Sequence, residues 1–247
     1  MKTKKNLSLI IFSLLLTFSL LCCHTDDDSS PPSIRNEGIK VLALGDSRVE
    51  GSRPDFESYR YEFWKNMTAD NWLFDFIGPL KDLASYPQFM NSDFDFDHAG
   101  VGGFTTNDVL DNLSTAISTD TPDVVLLGIG GNDLLENVTV SVAIANINHI
   151  IDRLQAENNK ITIFLEQIAP GRSDIMIPQN ITLFNSFNEA IILVGVEQTT
   201  ADSKIVIVDI AINWSDTYMA DDLHYNESGA KEVADRYFLA FTEYITR

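Results

Sequence analysis

Four short stretches of this chain carry residue types that do nucleophilic chemistry. They are Gly45-Asp46-Ser47, the run His98-Ala99-Gly100-Val101-Gly102-Gly103-Phe104-Thr105-Thr106, the turn Gly130-Gly131-Asn132-Asp133, and Asp221-Asp222-Leu223-His224. A serine, backbone and amide donors for a developing oxyanion, and a histidine oriented by a carboxylate are together what acyl transfer to a hydroxyl nucleophile requires. Singly, each stretch has an ordinary explanation. Gly-Asp-Ser is a common turn, Gly-Gly before Thr-Thr is a helix entry, Gly-Gly-Asn-Asp is another turn, and an Asp three residues before a His arises by chance. Their order along one chain, and the elements that precede them, give them joint meaning.

From about Gly38 to Arg247, short apolar runs alternate with segments of helical period, the pattern of a parallel sheet covered on both faces. Five strands are predicted, at Ile39–Leu44, Leu73–Ile77, Val124–Ile129, Ile161–Glu166 and Ile205–Asp209, each near-continuously apolar as a strand buried on both faces must be. The expected fold is therefore α/β, a three-layer α/β/α sandwich with a five-stranded parallel sheet. Around Val138–Asn158, the residues Val140, Ile144, Ile147, Ile151 and Leu154 recur at steps of three and four, one apolar stripe that leaves His149 on the solvent side. The last helix starts after Asn226, a good N-cap, and carries Val233, Tyr237, Leu239 and Phe241. Open α/β sheets bind ligands at the carboxyl ends of their strands, which is where the four stretches fall.

With that order and placement, the chain resembles the SGNH, or GDSL-type, hydrolase superfamily. Its four blocks match Ser47, Gly103, Asn132 and the Asp221/His224 pair in family order, over nearly the whole of residues 37–247. The likeness is more specific to the acetylxylan esterases of carbohydrate esterase family 3, which GDSRVEG, SYRYEFW at Ser58–Trp64, FDFIG at Phe74–Gly78, FDFDHAGVGGFTT, PDVVLLGIGGNDLL and DDLHYNESGAKEVA all resemble. It implies a serine esterase that removes acetyl groups from an acetylated polysaccharide, foremost xylan, with no cofactor and no metal. Ser47 would be the nucleophile, His224 the base and Asp221 its orienter, the D-x-x-H spacing favouring Asp221 over Asp222. The N–H groups of Ser47 and Gly103 and the amide of Asn132 would form the oxyanion hole. Phe104 stands where that group often has Trp, and Ala99-Gly100-Val101 replaces a more polar run; both departures bear on sugar contacts more than on catalysis. Two alternatives stay open: a lipase or thioesterase acting on other acyl groups, and a non-catalytic glycan-binding protein.

The amino terminus has Lys2, Lys4 and Lys5 ahead of an apolar run from Leu7 to Leu21 and the pair Cys22-Cys23, the layout of an export signal and short for a membrane span. Leu20-Leu21-Cys22-Cys23 resembles a lipobox, so residues 1–23 are read as a lipoprotein signal with Cys23 as the lipid anchor; a cleaved secretory signal is the plainer alternative. Residues 24–36, HTDDDSSPPSIRN, read as a tether, too polar to bury a core. The expectation is an exported bacterial lipoprotein, at the outer membrane, cell surface or periplasm. The 247 residues include 17 Lys+Arg and 36 Asp+Glu. Since three of the lysines lie in the first 23 residues and no acid does, the remainder has 14 basic against 36 acidic residues, a net charge of −22 that repels phosphate backbones and excludes nucleic acid as a partner. Cys22 and Cys23 are the two cysteines of the chain, so no disulfide framework or cysteine-based site is available. The oligomeric state is left open.

Three further features have plain readings. Asp93, Asp95 and Asp97 alternate with Phe94 and Phe96, an edge segment with solvated carboxylates on one side, and a calcium site is the alternative. His98 reads as a loop-packing or substrate-edge residue. Arg60 reads as a packing and ion-pair residue beside Tyr59 and Tyr61, with a pocket ligand as the sharper alternative.

Overall fold

The structure, a computed structural model, describes residues 38–247. The signal, anchor and tether segments at 1–23 and 24–36 lie outside the described residues. In chain order the elements are β1 (Ile39–Gly45), α1 (Ser47–Glu50), α2 (Arg60–Ala69), β2 (Phe74–Ile77), β3 (Leu80–Lys81), β4 (Asp97–Gly100), α3 (Thr106–Ala116), β5 (Val124–Gly128), α4 (Gly131–Leu135), α5 (Val140–Glu157), β6 (Thr162–Gln167), α6 (Pro178–Gln198), β7 (Lys204–Asp209) and α7 (Glu227–Tyr244). Among the described residues no helix is long and apolar enough to cross a membrane.

Strands β1, β2, β4, β5, β6 and β7 pair in parallel, and β3 closes the edge antiparallel to β4. The sheet thus has seven strands where five were expected. The correction has a geometric cause. Strand β2 pairs with β1 over Ile39–Leu42, and β4 pairs with β1 at Leu44 and Gly45. Both lie opposite β5, so β4 takes over from β2 along one edge of β1. A strand that needs only two paired residues requires no β-branched run, and Asp97-His98-Ala99-Gly100 has none.

Alternation along the strands divides the core. Val41, Ala43, Leu126, Phe164 and Val208 face α2 and α7, where Phe63, Trp64, Val233, Tyr237 and Phe241 meet them. Leu42, Leu44, Leu127, Ile163 and Leu165 face α3, α5 and α6, through Val109, Leu113, Ile147, Ile151, Leu154 and Phe187. Each such aliphatic or aromatic side chain contributes about 1.5–3 kcal/mol by leaving water, so the three layers hold together chiefly through these two faces. Of the α5 stripe, Ile147, Ile151 and Leu154 are buried and Val140 and Ile144 half-buried, and His149 is exposed. On α7, Val233, Tyr237 and Phe241 are buried, but Leu239 is 67 % exposed, two positions off the apolar stripe.

The chain leaves β1 first toward β2 and β4 and then crosses to β5 on the other side, so the direction of winding reverses at β1. That reversal opens a crevice at the carboxyl end of β1, and Ser47 begins the turn that leaves it. The strands approach closely there: a Cβ on Gly45 would stand 1.9 Å from the Gly128 carbonyl oxygen, which only glycine permits.

Candidate active site

Asp46, buried after β1, uses its carboxylate to accept the Arg48 N–H at 2.9 Å, which forces the one-turn α1 and sets Ser47 at its first position. Burial pushes the Asp46 carboxyl up, against the pull of the Arg48 guanidinium. At the other end of the domain sequence, Asp221 Oδ1 accepts the N–H groups of Leu223 (2.8 Å) and His224 (2.7 Å), folding the loop back so that Asp221 Oδ2 meets His224 Nδ1 at 2.8 Å. Burial raises the Asp221 carboxyl, and those hydrogen bonds outweigh it, so the group stays below the usual carboxylate range. With Nδ1–H donating to Asp221, the Nε2 lone pair faces Ser47 Oγ, 2.9 Å away. Asp222 instead offers its backbone carbonyl to Arg172 N–H. The structure therefore brings Ser47, His224 and Asp221 into one hydrogen-bonded chain and leaves Asp222 out of it.

The three expected oxyanion donors line the same cavity, about 220 Å³ in volume, together with Leu135, Phe184 and Leu223. Among the described residues neither the Ser47 N–H nor the Gly103 N–H donates to a protein acceptor. Gly103 has φ +80°, a conformation that strains any residue with a Cβ, and it leaves the peptide edge bare toward the cavity. Asn132 Nδ2 donates one hydrogen to the Phe104 carbonyl at 2.9 Å, which ties the Gly103 loop to the Asn132 turn, and its second amide hydrogen meets no acceptor among the described residues. Asp133, next in that turn, is buried and accepts both the N–H (2.8 Å) and the hydroxyl (2.6 Å) of Thr106, fastening α4 to the start of α3. Phe104 packs against the core below the loop rather than over the cavity.

Two residues that the sequence did not single out hold the histidine. Phe56 stacks on the His224 ring with centroids 3.9 Å apart and planes at 15°. Its loop is fastened by Ser52 pairing with Phe56 and by Glu57 N–H donating to the Tyr225 carbonyl at 2.8 Å. Arg48 sends Nε to the Leu223 carbonyl (2.8 Å) and Nη1 to the Ala169 carbonyl (2.7 Å), with its guanidinium 5.0 Å from the centre of the Tyr225 ring. Nothing in a lone Phe or Arg marks these roles, since Phe56 meets the imidazole and Arg48 the backbone of a loop some 170 positions away.

Other expectations resolve as follows. Arg60 is buried; Nε donates to the Val49 carbonyl, and Nη2 to the Glu50 carbonyl and to Asp82 at 3.0 Å, so it packs and pairs as read. His98 is 3 % exposed, and burial together with Arg60 pulls its ring down to about 3. The carboxylates of Asp93, Asp95 and Asp97 diverge. Asp93 takes Gln88, Asp97 pairs with Lys81, and Asp95 accepts the N–H of Phe76 (2.7 Å) and of Asp97 (3.2 Å). Asp95 is therefore not solvated as expected; burial raises its carboxyl to about 6. It serves as the partner of the open edge of β2, and no three acidic, His or Cys side chains among the described residues converge on a metal position.

The model of the GDSL-like Lipase/Acylhydrolase family matches residues 43–232. The chain belongs to that family. Among solved structures it is similar to a family 3 carbohydrate esterase of Clostridium thermocellum, at 27% identity over 83% of this chain and 96% of that one with a TM-score of 0.68. A family 3 carbohydrate esterase of Talaromyces cellulolyticus gives a TM-score of 0.73 at 24% identity, over 83% of this chain and 97% of that one. A curated relative named "Putative endoglucanase X", from Acetivibrio thermocellus, is 25% identical over 133 residues, 53% of this chain and 54% of that protein. The chain thus spans about half the length of the curated relative it matches. The α/β architecture with a mainly parallel sheet between helical layers is that of these esterases.

Proposed function

We propose that this acylhydrolase is an exported serine esterase that removes O-acetyl groups from polysaccharide, acetylated xylan foremost. The observation that carries the reading is the hydrogen-bonded chain from Ser47 through His224 to Asp221, opening onto a cavity of only about 220 Å³. His224 Nε2 takes the Ser47 proton as Oγ attacks the acetyl carbonyl, and Asp221 steadies the imidazolium that forms. The carbonyl oxygen, now negative, turns toward the Ser47 and Gly103 N–H groups and the free Asn132 amide hydrogen. Removal of one such donor typically costs about 10²–10³ in rate. The tetrahedral species collapses by breaking the bond to the sugar oxygen, which takes the proton from His224. Water, deprotonated by the same ring, then attacks the acetyl-serine carbonyl, and the bond to Ser47 Oγ breaks as that oxygen takes the proton back from His224 and acetate leaves.

The likeness to family 3 carbohydrate esterases supports polysaccharide as the acyl donor. The decisive experiment measures acetate release from acetylated xylan, other acetylated glycans and p-nitrophenyl acetate side by side. Release from the glycans supports the reading, and cleavage of the nitrophenyl ester alone contradicts it. Export and lipid anchoring at Cys23 belong to the same proposal and rest on the Lys2–Cys23 pattern. A lipoprotein carries more than the single chain that binds only marginally, so the full-length protein is expected in the membrane fraction, and Cys23→Ala in the soluble one or unprocessed. A soluble wild type would remove the anchor from the account.

A further inference from the structure

A second cavity, of about 350 Å³, has Glu50, Ser52, Asp82, Ala84 and His98 among its walls. Its position follows from α1. Ser47 and Glu50, three residues apart on a single helical turn, are neighbours on one face. Gly102 lies between them, since a Cβ there would stand 2.9 Å from Glu50 Oε2 and 3.8 Å from Ser47 Cβ.

Arg53 and Lys81 also line it and pair with Glu57 and Asp97, while His98, Glu50 and Asp82 are set in fixed hydrogen-bonding states. His98 Nδ1 accepts the Gly100 N–H at 3.1 Å, so the ring hydrogen is on Nε2, which makes no hydrogen bond among the described residues. Burial and the Arg60 charge keep that ring neutral, one donor and nothing more. Glu50 spends Oε2 on the Gly102 N–H at 2.6 Å and leaves Oε1 without a hydrogen bond among the described residues. Asp82 has no such spare capacity, being bound to Arg60, Tyr86 and the Ala84 N–H. The His98 donor and the spare Glu50 acceptor suit neighbouring hydroxyls, each of which both gives and takes a hydrogen bond. The volume is at the small end of ligand cavities and admits one sugar ring.

We propose that this cavity is a subsite for the sugar ring next to the acetylated one, held by hydroxyls that donate to Glu50 and accept from His98 Nε2–H. The inference rests on the polysaccharide reading above. It makes the enzyme prefer acetylated chains to acetylated single sugars.

The test narrows the cavity with Ala84→Trp and, separately, Ser52→Trp, at two of its lining positions. For each folded variant, kcat/KM is measured on an acetylated xylo-oligosaccharide of three or more rings, an acetylated monosaccharide and p-nitrophenyl acetate. The ratio of oligosaccharide to nitrophenyl ester is expected to fall at least tenfold in both variants, with the monosaccharide ratio held. Titration of Ser47→Ala with unacetylated xylo-oligosaccharide is expected to show binding that Ala84→Trp added to it weakens. Equal ratios in wild type and a folded variant would overturn the subsite while leaving the deacetylase reading intact. Failure of the wild type to act on any acetylated glycan would overturn both.

Discussion

Ser47 stands at the end of a proton path 2.9 Å and 2.8 Å long, and every step of the proposed chemistry passes through its oxygen. Ser47→Ala is expected to lower kcat by at least about 10³-fold, in keeping with the interdependence of such groups, while Tm moves by no more than a few degrees because a single hydroxyl at a turn contributes little stability. Comparable turnover in the variant would remove Ser47 from the mechanism. A second residue-scale expectation concerns Glu166, fully enclosed beneath the site with Tyr237 Oη 3.1 Å from its Oε2. Burial lifts its carboxyl from the ordinary 4.5 to about 7, against the pull of Arg48. Between those values the folded chain keeps a proton that the unfolded chain has lost, so its contribution falls as pH rises through that window and is lost above about 7. Glu166→Gln has no proton to lose. Its Tm relative to wild type is expected to rise from pH 5 to pH 8, and parallel curves would contradict this. At this scale the arrangement was legible because Ser47, Gly103, Asn132, Asp221 and His224 each sit in a short local motif. Arg48, Phe56 and Phe184 were not, because their parts depend on which loops the fold brings together.

Among the elements, the loop before α2 has the most to do with the histidine. It runs from Gly51 to Ser58 and lays Phe56 on the imidazole, and its anchoring to Tyr225 makes it a strap across the base. A stacked aromatic pair contributes about 0.5–1.5 kcal/mol, so Phe56→Ala is expected to reduce kcat about 2–10-fold with KM changed less, and Phe56→Tyr to restore it. A kcat equal to wild type in Phe56→Ala would show that Asp221 alone holds the ring. The strands read from the sequence were the long apolar ones, where burial on both faces leaves a continuous signal. Strands β3 and β4 escaped because two or four residues closing a sheet edge need no pattern of their own; the Asp95 carboxylate, bonded to the Phe76 N–H, does there what a longer strand would have done.

For the molecule as a whole, the reversal of winding at β1 gathers residues from positions 47, 103, 132, 221 and 224 into one crevice, and the sheet's two buried faces hold it rigid. The central claim is that this crevice hydrolyses small acyl esters through Ser47. Its most direct test is kcat/KM for p-nitrophenyl acetate, butyrate and octanoate measured with one preparation. Each methylene that finds no buried place forgoes about 0.8 kcal/mol, and one that meets Leu135, Phe184 or Leu223 in a clash loses more. Acetate is expected to be cleaved best, butyrate much less and octanoate barely. A value that rises from acetate to octanoate would contradict it and make the protein a lipase or thioesterase.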